Sequence, residues 1–212
     1  MVDAMSRDFT LIVATPTDFG ASERVGAPYV PARWAAEMSG VLDHLGVQRC
    51  GVFGYSFTGA FGPWLAQQLP SRVAAVVAGG FPLLGSYEVT AVDVRSQCAA
   101  IEADPDVYGA IYDERFDPRG GLAFYESLAS LPDHALVDSC PCPLYCFWGD
   151  EDTDAVAMVM SSTELSHGLA ARGVAHHVYR GFDHEGLNAR LEVAWPAASA
   201  WLSHQLAGDE AS

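Results

Sequence analysis

Three residues of the chain are of types that together can move a proton and attack a carbonyl: Ser56 in "GYSFTG", Asp152 in "GDEDT" and His184 in "GFDHEG". A serine hydroxyl is a weak nucleophile until a base takes its proton, and an imidazole serves as that base when a carboxylate orients it. Ser56 stands between a short apolar run and the start of a helical pattern, with Gly54 and Thr58 two positions to either side. Small groups there let a serine be thrust out of a tight, strained turn, because bulkier ones would strike the adjoining strand and helix. On this motif alone a nucleophile elbow and a helix-capping serine are equally good readings. Asp152 and His184 favour the first: each follows a strand-like run, and the chain order is Ser, Asp, His. Asp150 is the alternative acid, because sequence does not fix the register of the turn.

Such residues need a scaffold that gathers strand ends. Short apolar runs alternate with longer amphipathic ones, the pattern of a three-layer α/β/α domain with a mostly parallel sheet. Strands are expected at 9–15 ("FTLIVAT"), 49–54, 72–80, 143–149 and 175–181, and helices at 31–45, 57–69, 155–171 and 187–206, so the chain begins βαβαβ. In a parallel sheet the carboxyl ends of the strands share one edge, and there Ser56, Asp152 and His184 can meet. Residues 83–139 are aromatic, weakly helical and broken by Pro and Gly, and read as a small helical lid inserted into a core of residues 1–82 and 140–212. Its aromatics Tyr108, Tyr112, Phe124 and Tyr125 are expected mainly to pack the lid onto the sheet. Phe57, beside Ser56, is the best candidate for a pocket wall, with Phe81 near a strand end.

Composition removes other classes. The 212 residues carry a net charge of -16, which disfavours nucleic acid and anionic membranes, since both are bound through Lys and Arg. No apolar run reaches the roughly 18 residues of a membrane span, and "MVDAMSRDFT" has none of the features of a secretory signal, so a cytoplasmic location is expected. Five cysteines, three of them in "CPCPLYC", lack the paired spacing of a zinc site and read as buried free thiols. Asp150, Asp152 and Asp154 begin like a calcium loop, but Ala155 and Ser161 stand where glycine and a bidentate glutamate are needed. No metal or cofactor is expected. His176 and His177 are neighbours in a strand, point to opposite faces and are read as structural. A small-molecule, ester-like substrate is the expected partner, and a homo-oligomer is a possible assembly.

The strand and loop "LIVATPTDFGASE", the elbow "GYSFTG", the strand "RVAAVVAGG" and the turns "GDEDT" and "GFDHEG" together resemble the α/β-hydrolase fold superfamily over nearly the whole chain. The resemblance implies Ser56 as nucleophile, His184 as general base, Asp152 as orienting acid, the Phe57 amide as an oxyanion donor and Phe19 at the mouth of the site. It implies hydrolysis of a carboxylic ester, lactone or related acyl bond. The same triad resembles that of cofactor-free haloperoxidases and carbon–carbon bond hydrolases, and a non-catalytic or assembly-dependent relative is the alternative of another class. Two departures stand out. Thr58 replaces the glycine usual in the elbow, and the family's earlier strands, with their His-Gly oxyanion loop, have no match before residue 9. The missing strand would leave a gap beside the elbow strand, to be closed by an upstream segment, by different pairing or by another subunit.

Overall fold

A computed structural model of the chain describes residues 1–23, 25, 30–104, 106 and 118–209. Within them, four strands form one sheet in the order β1 (Cys50–Tyr55), β2 (Val73–Gly79), β3 (Leu144–Gly149) and β4 (Ala175–Tyr179), every pair parallel. β2 is made of small and β-branched residues and is buried along its whole length, as a central parallel strand covered on both faces must be. Alternate residues divide between the two faces. On one, Tyr55, Ala75, Val77, Tyr145 and Phe147 pack with Trp195, Ala198 and Leu202 of the helix Trp195–Asp209. On the other lies Val76, whose side chain a Cβ at Gly62 of the helix Phe57–Gln68 would meet at 2.9 Å. Helices on both faces of a parallel sheet give the expected α/β/α layering.

The chain divides into two compact units. The first, Met1–Ile12, Gly46–Gly85 and Asp133–Ser212, holds the sheet and every residue of the serine–histidine–aspartate set. The second, Val13–Leu45 and Ser86–Pro132, is helical in its described parts: Pro31–His44, Glu88–Ala103 and Pro118–Ala129. There Arg95 reaches both Glu88 (3.2 Å) and Glu126 (3.3 Å), and Trp34 packs against Phe124 at 6.0 Å between ring centroids. Tyr108 and Tyr112 lie outside the described residues.

The strand expected at 9–15 does not form. Residues 10–15 join no ladder; Val13 is 75% exposed and Ile12 36%. Its β-branched composition favours extended backbone, but a strand is stable only when a neighbour satisfies its amides and carbonyls. The front of the chain turns elsewhere: Val2–Met5 is a short helix, Asp8 accepts a hydrogen bond from Trp195 Nε1 at 2.8 Å, and Phe9 stands edge-on to the same indole. The βαβαβ order therefore loses its first strand, and β1 is an edge strand of the described sheet rather than one side of an internal gap. The helix expected at 155–171 is interrupted, as Val156–Val159 and then Ser162–Ala171, the latter opened by a Ser161–Glu164 capping box. The last helical stretch is likewise divided: His184–Ala189, one 3-10 turn, then Trp195–Asp209 with Pro196 in its first turn, where its missing amide is harmless. No helix among the described residues is long and apolar enough to cross a membrane.

Candidate active site

The chain leaves β1 at Tyr55 and enters a helix at Phe57, and Ser56 makes the whole turn. Its φ of 56° and ψ of −125° lie in a region that non-glycine residues rarely occupy. Four hydrogen bonds fix the turn. Ser56 N donates to Gly79 O of β2 at 2.8 Å, and Ser56 O accepts from Gly59 N at 2.8 Å. The Thr58 hydroxyl accepts from Tyr55 N (2.9 Å) and donates to Tyr55 O (2.8 Å), clamping Tyr55 to Thr58 across the serine. Thr58 is thus more than a tolerated replacement for glycine. The tightness is real at the flanking glycines: a Cβ on Gly54 would collide with the Thr58 backbone, and one on Gly59 would come within 2.6 Å of Gly79 O.

Asp152 follows β3 by three residues and is 3% exposed. Its Oδ1 accepts from the amides of Ala155 (3.0 Å) and Val156 (3.3 Å), which orients the carboxylate and leaves Oδ2 to accept from His184 Nδ1 at 2.8 Å. His184 opens a short helix capped by Asp183 and is 7% exposed; its Nε2 is 2.8 Å from Ser56 Oγ. Ser56, His184 and Asp152 therefore form one hydrogen-bonded line at the carboxyl edge of the sheet. Asp150, the alternative acid, turns away to accept from Gly181 N at 2.7 Å.

Two groups that the sequence did not single out hold this line together. Tyr55 OH donates to His184 O at 2.8 Å while its ring lies against the imidazole at 5.2 Å. Gly149, the last residue of β3, lies so close to the Phe182 backbone that any Cβ would collide with Phe182 O, and Glu151 N donates to Phe182 O at 3.1 Å. That contact fuses the aspartate turn to the histidine turn. Tyr55 and His184 are 129 positions apart, and no local pattern announces such a bond.

Electrostatics raise the pKa of the imidazole. Burial alone would lower the His184 pKa, but the hydrogen bond and charge of Asp152, with Glu185 and Asp154 further out, outweigh it and raise the pKa above the ordinary 6.5. Burial raises the Tyr55 phenol in the opposite sense, reinforced by Asp152, Glu185 and Asp183, so it remains a donor.

The remaining expected site residues are Phe57, Phe81 and Phe19. Phe57 is the first residue of a 12-residue helix whose positive dipole end begins at Ser56. Phe81 is buried, 6% exposed, just past β2. Phe19 belongs to the second unit, edge-on to Trp34 at 5.2 Å. His176 is held by Ser166 Oγ (2.7 Å) and stacks on Trp148, as a structural residue would. Among the described residues no cluster of three or more His, Cys, Asp or Glu is placed to hold a metal ion.

Solved structures share the fold over most of the chain. A carboxylesterase of Nitrososphaera gargenis matches 88% of the chain and 76% of its own length at a TM-score of 0.64 and 14% identity. A thermophilic esterase of Thermogutta terrifontis matches 89% and 78% at 0.65 and 18%. The chain has the α/β-hydrolase fold. An E-2-(acetamidomethylene)succinate hydrolase also superposes, over 88% of the chain and 79% of that structure, with a TM-score of 0.58 and 18% identity. In sequence, a 2-hydroxymuconate semialdehyde hydrolase of Pseudomonas putida is 40% identical over 76 residues, which are 33% of the chain and 27% of that relative. No family model matches the sequence.

Proposed function

We propose that the protein is a serine hydrolase that cleaves a carboxylic ester or related acyl bond. The observation that carries this reading is the unbroken line from Ser56 Oγ through His184 to the doubly anchored Asp152, built on a strained elbow. As Ser56 attacks the carbonyl, its proton passes to His184 Nε2, and the imidazolium so formed is stabilised by Asp152 at Nδ1. The Phe57 amide, at the dipole end of its helix, is one donor to the oxyanion. His184 then returns the proton to the leaving oxygen. Water, deprotonated by the same imidazole, attacks the acyl-serine and releases the acid, restoring Ser56.

A fluorophosphonate probe tests this. Prompt labelling of the folded, monodisperse protein that disappears in Ser56→Ala is the expected result; absence of labelling overturns it. A second reading, hydrolysis of a vinylogous semialdehyde of the 2-hydroxymuconate kind, is favoured by the local identity to the Pseudomonas putida enzyme. Turnover of p-nitrophenyl acetate, set against loss of 2-hydroxymuconate semialdehyde absorbance, separates the two substrates.

A further inference from the structure

The opposite edge of the sheet carries a second pair of reactive groups. Cys140 and Cys142, in the bend that leads into β3, lie with their sulfurs 3.8 Å apart and share a hydrogen bond. All five cysteines are free thiols, as expected, but only Cys98 and Cys146 are buried; Cys140 and Cys142, like Cys50, are half-buried. They line a cavity of about 550 Å³ together with Arg172, Trp201 and Gln205. A second cavity of about 350 Å³ reaches Cys142 from the side of Arg49 and His204. The sulfurs are thus open to small solutes from two directions, and Arg172 on the first is ion-paired with Asp138 of the same wall at 2.7 Å. Because the sheet is parallel and the triad sits at its carboxyl edge, this site is separate from the active site.

We propose that Cys140 and Cys142 form a redox-active dithiol that undergoes thiol–disulfide exchange with small disulfides. The hydrogen bond from Cys142 lowers the pKa of Cys140 despite the opposing effect of burial, whereas Cys142 is raised, first by that same bond and then by burial. With Cys142 as the donor in the shared hydrogen bond, Cys140 is the attacking sulfur and Cys142 the resolving one. The Cys140 thiolate attacks one sulfur of R–S–S–R; that bond breaks and one RS⁻ leaves. Cys142 then gives up its proton and attacks Cys140 Sγ, expelling the second RS⁻. The protein loses two electrons and two protons, and the oxidant becomes two thiols. The sulfurs must close from 3.8 Å to the roughly 2 Å of a disulfide. Cys50 is the internal control: it is equally half-buried, but burial raises its thiol and no second sulfur lies against it in the described structure.

The test is to treat the folded full chain with oxidised glutathione, count free thiols and map the masses of its proteolytic peptides. Two of the five thiols should vanish, the peptide containing Cys140 and Cys142 should lose two hydrogens, and no glutathione should remain attached. In Cys142→Ser, Cys140 should retain one glutathione; in Cys140→Ser, the reaction should slow at least tenfold. An unchanged thiol count, glutathione left on Cys140 of the unaltered protein, or reaction of Cys50 as fast as Cys140 overturns the proposal. The peptide map of the unaltered protein decides the matter even if a variant fails to fold.

Discussion

Two apolar runs near the front of the chain invite the same description and meet opposite fates. "FTLIVAT" at 9–15 is the stronger strand former by composition, yet it joins no ladder and exposes Val13; "CGVFGY" at 50–55 contains two glycines and is β1. The difference lies in what each has beside it. β1 pairs with β2 over its whole length and is covered by Leu202 on one face and the helix Phe57–Gln68 on the other. Its glycines are required there: at Gly51 a Cβ would meet Leu202 at 2.7 Å, and at Gly54 it would strike the elbow. Partners, rather than propensity, decide which run becomes a strand.

That contrast makes substitutions in the second run costly and those at the exposed positions of the first, such as Val13, nearly free. The largest effect belongs to the residue that β1 delivers: Ser56→Ala should lower ester turnover roughly 10⁴-fold or more, with Asp152→Asn close behind, while far-UV circular dichroism stays unchanged. Gly59→Ala, forced against Gly79 O, should destabilise the fold by about 1–3 kcal/mol, read as a lower urea midpoint. Tyr55→Phe leaves the buried His184 carbonyl without its donor and should cost about 1–3 kcal/mol, with kcat falling more than KM rises. At the small end, Val13→Thr should change stability by no more than about 0.5 kcal/mol; a loss of several times that would mean the run is paired in solution after all.

The pH profile sharpens the same site. In the proposed mechanism turnover needs neutral His184, whose pKa is raised, so the acid limb of kcat/KM should lie above pH 6.5. Glu185→Gln should move that limb to lower pH by removing one of the charges that raise it, and the shift should shrink in high salt because Glu185 is exposed. Stability runs in the opposite direction. The folded state favours the protonated imidazole, so this contribution is complete below the unfolded pKa and fades as pH rises through the folded one.

Types, order and strand-end positions of Ser56, Asp152 and His184 were legible in the sequence, because small residues around a serine and acidic and histidine turns after apolar runs are local patterns. The parallel sheet was legible for the same reason: buried strands read as continuous apolar runs. Tertiary structure alone decided the rest. Whether residues 9–15 find a ladder, which of Asp150 and Asp152 reaches the imidazole, that Tyr55 holds the His184 backbone and that Gly149 lets two turns touch all depend on groups far apart in the chain. A hydrogen bond between residues 129 positions apart leaves no periodicity to read, since only the packed sheet brings its ends together.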